Sequence, residues 1–381
     1  MSIASRCSLP ANATSDTSMA VSDKQLIQWL GHTDLRVRSA SLDLLSNSYA
    51  SDPSILSSII AAWDHYGCES AFYDFPLISH LAISSDQMPV VLARAQEMSR
   101  GRKITDRVCR CAGKLGEAIS VERASGFAPY LKEIQTLKET SKIFFRVPIP
   151  NMEQRAAALA REPSSLELDF EDGAPSDIAI ALESLWERGL ANRWIREGIE
   201  SWEEPQPSAL GPSALGLSAL ELVSRHAIRG YEEQLLTLVD RQEATVADLA
   251  TISLVRGRNP LTQSLIAERF QGMGKPGQLR SLDIIRRMRL EQSSKLIRFL
   301  LPQGSDGVVQ NSARIAEVLL FDFEFLEEWL EAFLLIEETS VQRVVYSIPI
   351  AYPLALEETP GDWSRIKHLL LMRLGRGFEL G

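Results

Sequence analysis

Residues 23–47, DKQLIQWLGHTDLRVRSASLDLLSN, predict two short antiparallel helices joined by a tight turn. Ser22 and Gln25 have the spacing of a capping box, in which a hydroxyl and an amide each satisfy a backbone group at a helix start. Gly31 then favours a helix end, because glycine adopts the left-handed conformation at little cost. Between these signals, one apolar face recurs at helical spacing: Leu26, Trp29 and Leu30.

The second helix of the pair begins after a short polar turn. Thr33 or Asp34 is placed to cap it, since both side chains accept hydrogen bonds from backbone N–H groups. Its apolar positions again have helical spacing: Val37, Ala40, Leu44 and Leu45. A pair this short cannot bury its apolar faces alone, so the pattern predicts similar units stacked on either side.

The glycine turn followed by the motif Asp34-x-x-Val37-Arg38-x-Ala40-x-x-x-Leu44-Leu45 resembles a HEAT-like repeat. The resemblance covers residues 23–47. It implies an all-α fold, an α-solenoid of stacked antiparallel helix pairs that is also called an ARM-type superhelix. It further implies that Asp34 and Arg38 support the stacking of neighbouring repeats.

The rest of the chain continues this rhythm, with candidate helix pairs beginning near residues 23, 53, 86 and 121, and again near 177, 212, 245, 276 and 308. The rhythm fails at residues 147–150, VPIP, because two prolines interrupt a helix. Residues 166–176, LELDFEDGAPS, predict an extended linker. Five segments follow: a flexible leader over 1–21, an N-terminal HEAT-like array over 22–146, an irregular connector over 147–176, a C-terminal helical-repeat array over 177–340, and a C-terminal cap over 341–381.

Composition restricts the class of partner. The chain has 381 residues, a formal net charge of −10 and a pI near 5.2. Nucleic acid and anionic membranes attract proteins mainly through Lys and Arg, so this balance disfavours non-specific binding to either. No stretch reaches the roughly 18 apolar residues of a membrane span. The first twenty residues lack the apolar core of a secretory signal. We therefore expect a cytoplasmic protein without a membrane partner.

Motifs for catalysis and metal binding are missing from the sequence. The five histidines are isolated from one another, so no zinc-protease pattern is present. The four cysteines are too scattered for a disulfide framework. Gly272-x-Gly274-x-x-Gly277 matches the letters of a dinucleotide fingerprint, but it lies between predicted helices, and we interpret it as a loop. Trp186, Trp194 and Trp202 recur every eight residues, which predicts core packing and not a ligand cage.

One basic cluster stands out in this acidic chain. Between residues 275 and 298 there are seven basic side chains against two acidic ones, a local balance of +5. With two arginines just upstream, the candidate partner-binding residues are Arg256, Arg258, Lys275, Arg280, Arg286, Arg287, Arg289, Lys295 and Arg298. Equivalent helices of a solenoid line one concave surface, so these residues predict a basic groove. The alternatives are a solvated face, or pairing with the acidic helix of residues 322–338.

These observations favour a non-catalytic scaffold or adaptor that binds a partner protein on the concave face. They assign no catalytic residue, cofactor or metal ligand, and they leave the oligomeric state open. A first alternative is a HEAT-like enzyme or nucleic-acid-binding protein, similar to the HEAT-like DNA glycosylases, that uses the basic groove. A second is a lyase-like or chaperone-like subunit that binds a pigment or another apolar ligand, as the HEAT-like tetrapyrrole lyases do.

Overall fold

The computed structural model describes residues 21–67, 70–73, 85–100, 124–140, 149–202 and 213–341, with isolated positions beyond them. Every regular element within these ranges is a helix, and none of the described residues forms a strand. The predicted all-α class is therefore confirmed. The predicted leader, apart from Val21, all four cysteines and most of the predicted C-terminal cap lie outside the described residues.

The helices of the first half are short. They are α1 (Asp23–Trp29), α2 (Leu35–Asn47), α3 (Ser54–Tyr66), α4 (Met88–Arg100), α5 (Ala124–Phe127), α6 (Leu131–Thr140), α7 (Ile149–Ala158), α8 (Pro163–Glu167) and α9 (Asp169–Asp172).

The second half contains ten described helices. They are α10 (Pro175–Glu187), α11 (Asn192–Glu200), α12 (Ala214–His226), α13 (Glu232–Val239), α14 (Ala244–Gly257), α15 (Pro260–Arg269), α16 (Lys275–Met288), α17 (Ser293–Leu300), α18 (Gly307–Val318) and α19 (Leu326–Leu335).

The start of the chain follows its sequence signals. Ser22 accepts a hydrogen bond from the backbone N–H of Gln25 at 3.3 Å, and the Gln25 side chain accepts from the Ser22 N–H at 2.9 Å. The predicted capping box is thus confirmed. Asp34 caps α2, because its carboxylate accepts the backbone N–H of Arg36 at 2.8 Å. The apolar faces of both helices are buried.

Arg38 connects the first helix pair to the segment that follows it. Its Nε donates to the carbonyl of Ala71 at 2.8 Å, and its Nη2 donates to the carbonyl of Ser70 at 3.2 Å. Its guanidinium also lies 3.7 Å from the centroid of the Tyr66 ring. Asp34 pairs with Arg36 at 2.7 Å. Arg38 therefore has the connecting role expected of it, and Asp34 acts as a helix cap.

In the second half, helices pack in two rows. In one row α10 contacts α12, α12 contacts α14, α14 contacts α16, and α16 contacts α18. In the other, α13 contacts α15, and α15 contacts α17. Each helix therefore packs against the next but one in the sequence, as expected of consecutive antiparallel pairs that stack side by side.

One type of helix end recurs along the first row. The residues that follow α12, α14 and α16 all have a left-handed backbone, with φ of 52°, 43° and 51°, and stand 31 residues apart: Ala227, Arg258 and Arg289. None is glycine, so this conformation is sterically unfavourable at each of the three residues. Each donates its N–H to the carbonyl four residues earlier and so closes its helix. The same helix-ending conformation therefore recurs three times at a constant spacing in the sequence.

Arginines connect the ends of neighbouring helices. The Nη1 of Arg256 donates to the carbonyls of Ser224 and Arg225, at 3.0 and 2.9 Å, which lie near the end of the preceding first-row helix. Arg188 does the same for α7, donating to the carbonyl of Ala158 at 3.1 Å. The last carbonyls of a helix have no partner inside it, so these guanidinium groups satisfy them from the neighbouring unit.

The expected extended linker over residues 166–176 is wrong, since α8 and α9 occupy residues 163–172. The alternation of Leu166, Leu168 and Phe170 favoured an extended chain, yet Leu168 is 65% exposed while Leu166 is fully buried. Pro163 stands in the first turn of α8, where its missing N–H costs nothing. The bounds of the five predicted segments stay a prediction.

Two hydrophobic clusters form the core. The first contains side chains between Val21 and Met152 together with others between Ile315 and Val344. The second contains side chains between Ala158 and Leu320, together with Tyr49. The helices α1–α3 therefore share a core with α18 and α19, although they lie at opposite ends of the described sequence.

At the glycine-rich start of α16, a carboxylate of the same chain accepts hydrogen bonds from the backbone. The carboxylate of Asp240 accepts the N–H of Gly274 at 2.9 Å and the N–H of Gly277 at 3.1 Å. Free N–H groups at a helix start attract anions, and here the anion is the carboxylate of Asp240, which directly follows α13. The interpretation of this motif as a loop holds in part, since Gly272 and Gly274 lie between α15 and α16, whereas Gly277 is in the first turn of α16.

Replacing Gly277 with alanine is expected to lower the free energy of unfolding by about 1–3 kcal/mol, the usual cost of overpacking. The added Cβ would lie 2.3 Å from Oδ1 of Asp240, so the carboxylate must move away from the helix start. Gly272→Ala is the matched control, because nothing lies within 4 Å of its added Cβ. Urea denaturation of both variants measures the difference; equal stabilities would contradict the importance of this cap.

Candidate functional site

The structure gathers five of the nine candidate residues at one place, which we call the junction. It lies where the ends of α14 and α16 meet the first helix pair, and its basic residues are Arg256, Arg258, Arg286, Arg287 and Arg289. The local sequence explains the grouping, since these residues occupy the last turns and the left-handed ends of two neighbouring first-row helices.

Arg258 makes the strongest link across the junction. Its Nη1 lies 2.6 Å from Oδ2 of Asp23 in α1, and its Nη2 donates to the carbonyl of Ser48 at 3.3 Å. Arg287 donates through Nε to the carbonyl of Asn47 at 2.6 Å. The end of α2 is therefore satisfied by guanidinium groups from the second half of the chain.

Tyr49 is the aromatic centre of the junction. Its ring lies 4.5 Å from the guanidinium carbon of Arg256 and 4.9 Å from that of Arg287, so two cations contact one ring. The residue is 7% exposed and has a left-handed backbone with φ of 49°. Sequence reasoning missed Tyr49. The available signal was the 31-residue spacing of Arg256 and Arg287, which places both arginines at equivalent positions of neighbouring units.

Asp283 is the carboxylate that pairs with two of the arginines. It lies 2.5 Å from Nη2 of Arg286 and 3.1 Å from Nη1 of Arg287. Burial would raise the pKa of Asp283, but these two guanidinium groups hold it below its ordinary value. Desolvation raises the pKa of Asp43 in α2, although that residue keeps solvent contact, and Arg286 opposes the rise.

The other four candidate residues contact other elements. Lys275 lies 2.7 Å from the carboxylate of Asp306, which caps α18. Arg280 donates to the carbonyl of Val239 at 3.0 Å. Arg298 pairs with the buried carboxylate of Glu317 in α18, and Lys295 is exposed on α17. Five of the nine candidate residues thus lie together at the junction, whereas the other four lie on separate parts of α16 and α17.

A second charged cluster lies beside the junction, and the sequence did not indicate it. Glu183 in α10 is 3% exposed and pairs with Arg155 of α7. Its other oxygen lies 3.2 Å from Nη1 of Arg225, and Nε2 of His226 lies 3.5 Å from the carboxylate. Burial alone would raise the pKa of Glu183, but His226, Arg155 and Arg225 bring it down to about 2. One carboxylate thereby connects three helices.

Aromatic side chains complete this second cluster. The rings of Trp186 and His226 are stacked, with centroids 4.0 Å apart. Trp194 packs on Phe170 at 4.5 Å, and Trp202 is 3% exposed. Burial lowers the pKa of His226, and the nearby carboxylate of Glu183 opposes that effect. Trp202 belongs to the buried core, as the spacing predicted, whereas Trp186 and Trp194 are partly buried and pack against that core.

No family model, curated protein or solved structure matches the chain. Within the described ranges, no group of three His, Cys, Asp or Glu side chains is arranged to hold a metal ion. No described helix combines the length and apolar character needed to cross a membrane.

Proposed function

We propose that this chain is a HEAT-like repeat protein, an α-solenoid that acts as a non-catalytic scaffold and binds a partner protein on its concave face. The observation that carries the proposal is the packing of α10, α12, α14, α16 and α18 in one row with α13, α15 and α17 in a second. Stacked helix pairs of this kind produce extended surfaces that are well suited to protein binding.

The recurring helix end supports the same proposal. Ala227, Arg258 and Arg289 repeat one left-handed geometry at intervals of 31 residues, which is the length of a short helical repeat. The arginine bonds between units add to this regularity, because a guanidinium of one unit satisfies the helix end of the unit before it. A cytoplasmic location stays a prediction from the sequence.

Within the candidate set, we place the partner contact on Lys275 and Lys295. Both side chains are exposed, although Lys275 also pairs with Asp306, whereas Arg258, Arg287 and Arg289 donate to groups in or next to the first helix pair. These internal bonds also give the nucleic-acid alternative less support, since binding to phosphates needs Lys and Arg that face the ligand. A role of the remaining arginines in partner binding stays a prediction.

The double variant Lys275→Glu/Lys295→Glu tests the proposal. Native mass spectrometry of protein purified from its own cells is expected to find a stoichiometric protein partner. The double variant should bind this partner about tenfold more weakly, with a changed salt dependence, because charges at an interface rim act mainly on association. Lys132→Glu, an exposed change on α6, is the control. Bound nucleic acid, or a partner that both variants retain equally, would contradict the proposal.

A further inference from the structure

The junction contains a guanidinium with unsatisfied donors. Arg289 follows α16, and its Nη2 donates to the carbonyl of Val21. Its Nε and Nη1 are shielded from solvent and have no hydrogen-bond partner in the described structure. Leaving shielded donors of a charged group unpaired costs several kcal/mol, since the group has lost its water. An acceptor bound to Nε and Nη1 would remove this cost.

The charges around Arg289 do not balance. The junction holds five guanidinium groups and three carboxylates, which are Asp23, Asp43 and Asp283. When all three carboxylates are ionised, the excess is +2, within a chain whose net charge is −10. Two of the carboxylates are already paired, Asp23 with Arg258 and Asp283 with Arg286 and Arg287. Among the described residues, no carboxylate forms an ion pair with Arg289.

Three of the arginines act on one another electrostatically. Burial lowers the pKa of Arg289 to about 10, Asp23 opposes this effect, and the positive charges of Arg258 and Arg286 add to it. The group stays protonated at neutral pH, so the repulsion persists in the folded protein. Arg258 and Arg286 have carboxylate partners, whereas Nε and Nη1 of Arg289 have no acceptor among the described residues.

We propose that the junction binds a small inorganic oxyanion of phosphate size, with Arg289 as its main ligand and Arg258 and Arg286 beside it. Guanidinium groups are well matched to phosphate oxygens and form strong charge-assisted hydrogen bonds with them. A monovalent or divalent oxyanion neutralises the excess charge of the site. Because the donors are shielded, a free ion fits the site better than a phosphoryl group attached to a larger molecule.

The anion would also bind the two parts of the junction together. Arg289 already contacts Val21 before α1, and Arg258 contacts Asp23 within it, so an anion between these arginines attaches the first helix pair to α14 and α16. Binding to the folded chain alone stabilises it by mass action. This inference does not rest on partner binding, and it would stand if no protein partner exists.

The test is isothermal titration of the full-length, extensively dialysed protein with sodium phosphate at constant ionic strength. We expect one equivalent to bind with low-millimolar affinity or better, and chloride to bind far more weakly. Thermal unfolding should shift upward and saturate over the same range. A linear, unsaturated rise is the general effect of excluded salts and would overturn the proposal.

Arg289→Met is the decisive variant, because methionine keeps an unbranched apolar side chain and removes every donor. Phosphate affinity is expected to fall at least about tenfold, the loss of a charge-assisted hydrogen bond. Arg193→Met is the control, since Arg193 is exposed and its contacts are an ion pair with Glu197 and the ring of Trp194, both in α11. If Arg289→Met does not fold, Arg258→Gln takes its place. A folded variant of either arginine that binds phosphate as the wild type does would overturn the proposal, and so would equal binding of chloride and phosphate by the wild type.

Discussion

Replacing Glu183 with glutamine is expected to lower the free energy of unfolding by about 3–5 kcal/mol, the cost of removing one partner from a buried ion pair. The carboxylate is 3% exposed and contacts Arg155 and Arg225 from two other helices. Glutamine keeps the size of the side chain but leaves both guanidinium groups without a counter-charge. Urea denaturation of the two proteins at neutral pH measures the loss.

The same group predicts a response to acid. The pKa of Glu183 is about 2 in the folded chain, below its ordinary value of 4.5. A carboxyl group with a lowered pKa stabilises the folded state fully above 4.5, and this contribution disappears as the pH falls through 2. His226 acts in the same direction from a higher pH, since burial lowers its pKa below 6.5 and the unfolded chain takes up the proton more readily. Stability should therefore fall steadily below neutral pH.

The control for Glu183→Gln is Glu197→Gln, which removes an exposed carboxylate that pairs with Arg193 within α11. Exposed pairs contribute little because water screens them, so this variant should unfold close to the wild type. The variant at Glu183 should also lose part of the pH dependence between 4.5 and 2. A Glu183→Gln protein with wild-type stability and an unchanged acid profile would show that the buried cluster is not a source of stability.

Replacing Trp329 with alanine is expected to cost about 3–5 kcal/mol, as for other large buried aromatic side chains. Trp329 in α19 is 1% exposed, stacks on Phe333 with centroids 5.7 Å apart, and donates its indole N–H to the carbonyl of Val318 at 3.0 Å. Alanine leaves a cavity and removes the indole hydrogen bond to the Val318 carbonyl, which still accepts the backbone N–H of Phe321 at 3.3 Å. Leu335→Ala is the control on the same helix, since Leu335 is 51% exposed.

The effect of Trp329→Ala should reach the opposite end of the described chain. Side chains of α1–α3 belong to the same hydrophobic cluster as Trp329, so a cavity in α19 weakens the packing of both regions. Hydrogen exchange followed by mass spectrometry should show faster exchange in α1–α3 as well as in α18 and α19. If faster exchange were confined to α18 and α19, the shared core would be contradicted.

Local signals in the sequence predicted the helices well. The capping box of Ser22 and Gln25 and the cap at Asp34 follow from residue types and short spacings, whereas the connecting role of Arg38 was implied by the resemblance to a HEAT-like repeat. Gly272 and Gly274 were also placed correctly between helices. The linker over residues 166–176 was misjudged because a short apolar alternation fits a strand as well as a helix, and burial decides between them.

Local sequence signals could not predict the contacts at the junction. Arg258 and Asp23 are 235 residues apart in sequence, and Arg289 and Val21 are 268 apart, so no local pattern relates them. The sequence indicated a basic cluster but not its neighbours. His226 likewise looked isolated, although folding brings it to Glu183, 43 residues away in sequence. Periodicity predicts the helices, whereas contacts between residues far apart in sequence depend on how all the helices pack.

The shared core of α1–α3 with α18 and α19 has a consequence for how the length of this protein can vary. An open array of helix pairs gains or loses a unit at little cost, because only nearest neighbours touch. Here an inserted unit of 31 residues would move α18 and α19 by about one helix spacing, roughly 8–10 Å, away from α1–α3. The length of the chain between these helices is therefore limited by the packing of α1–α3 against α18 and α19.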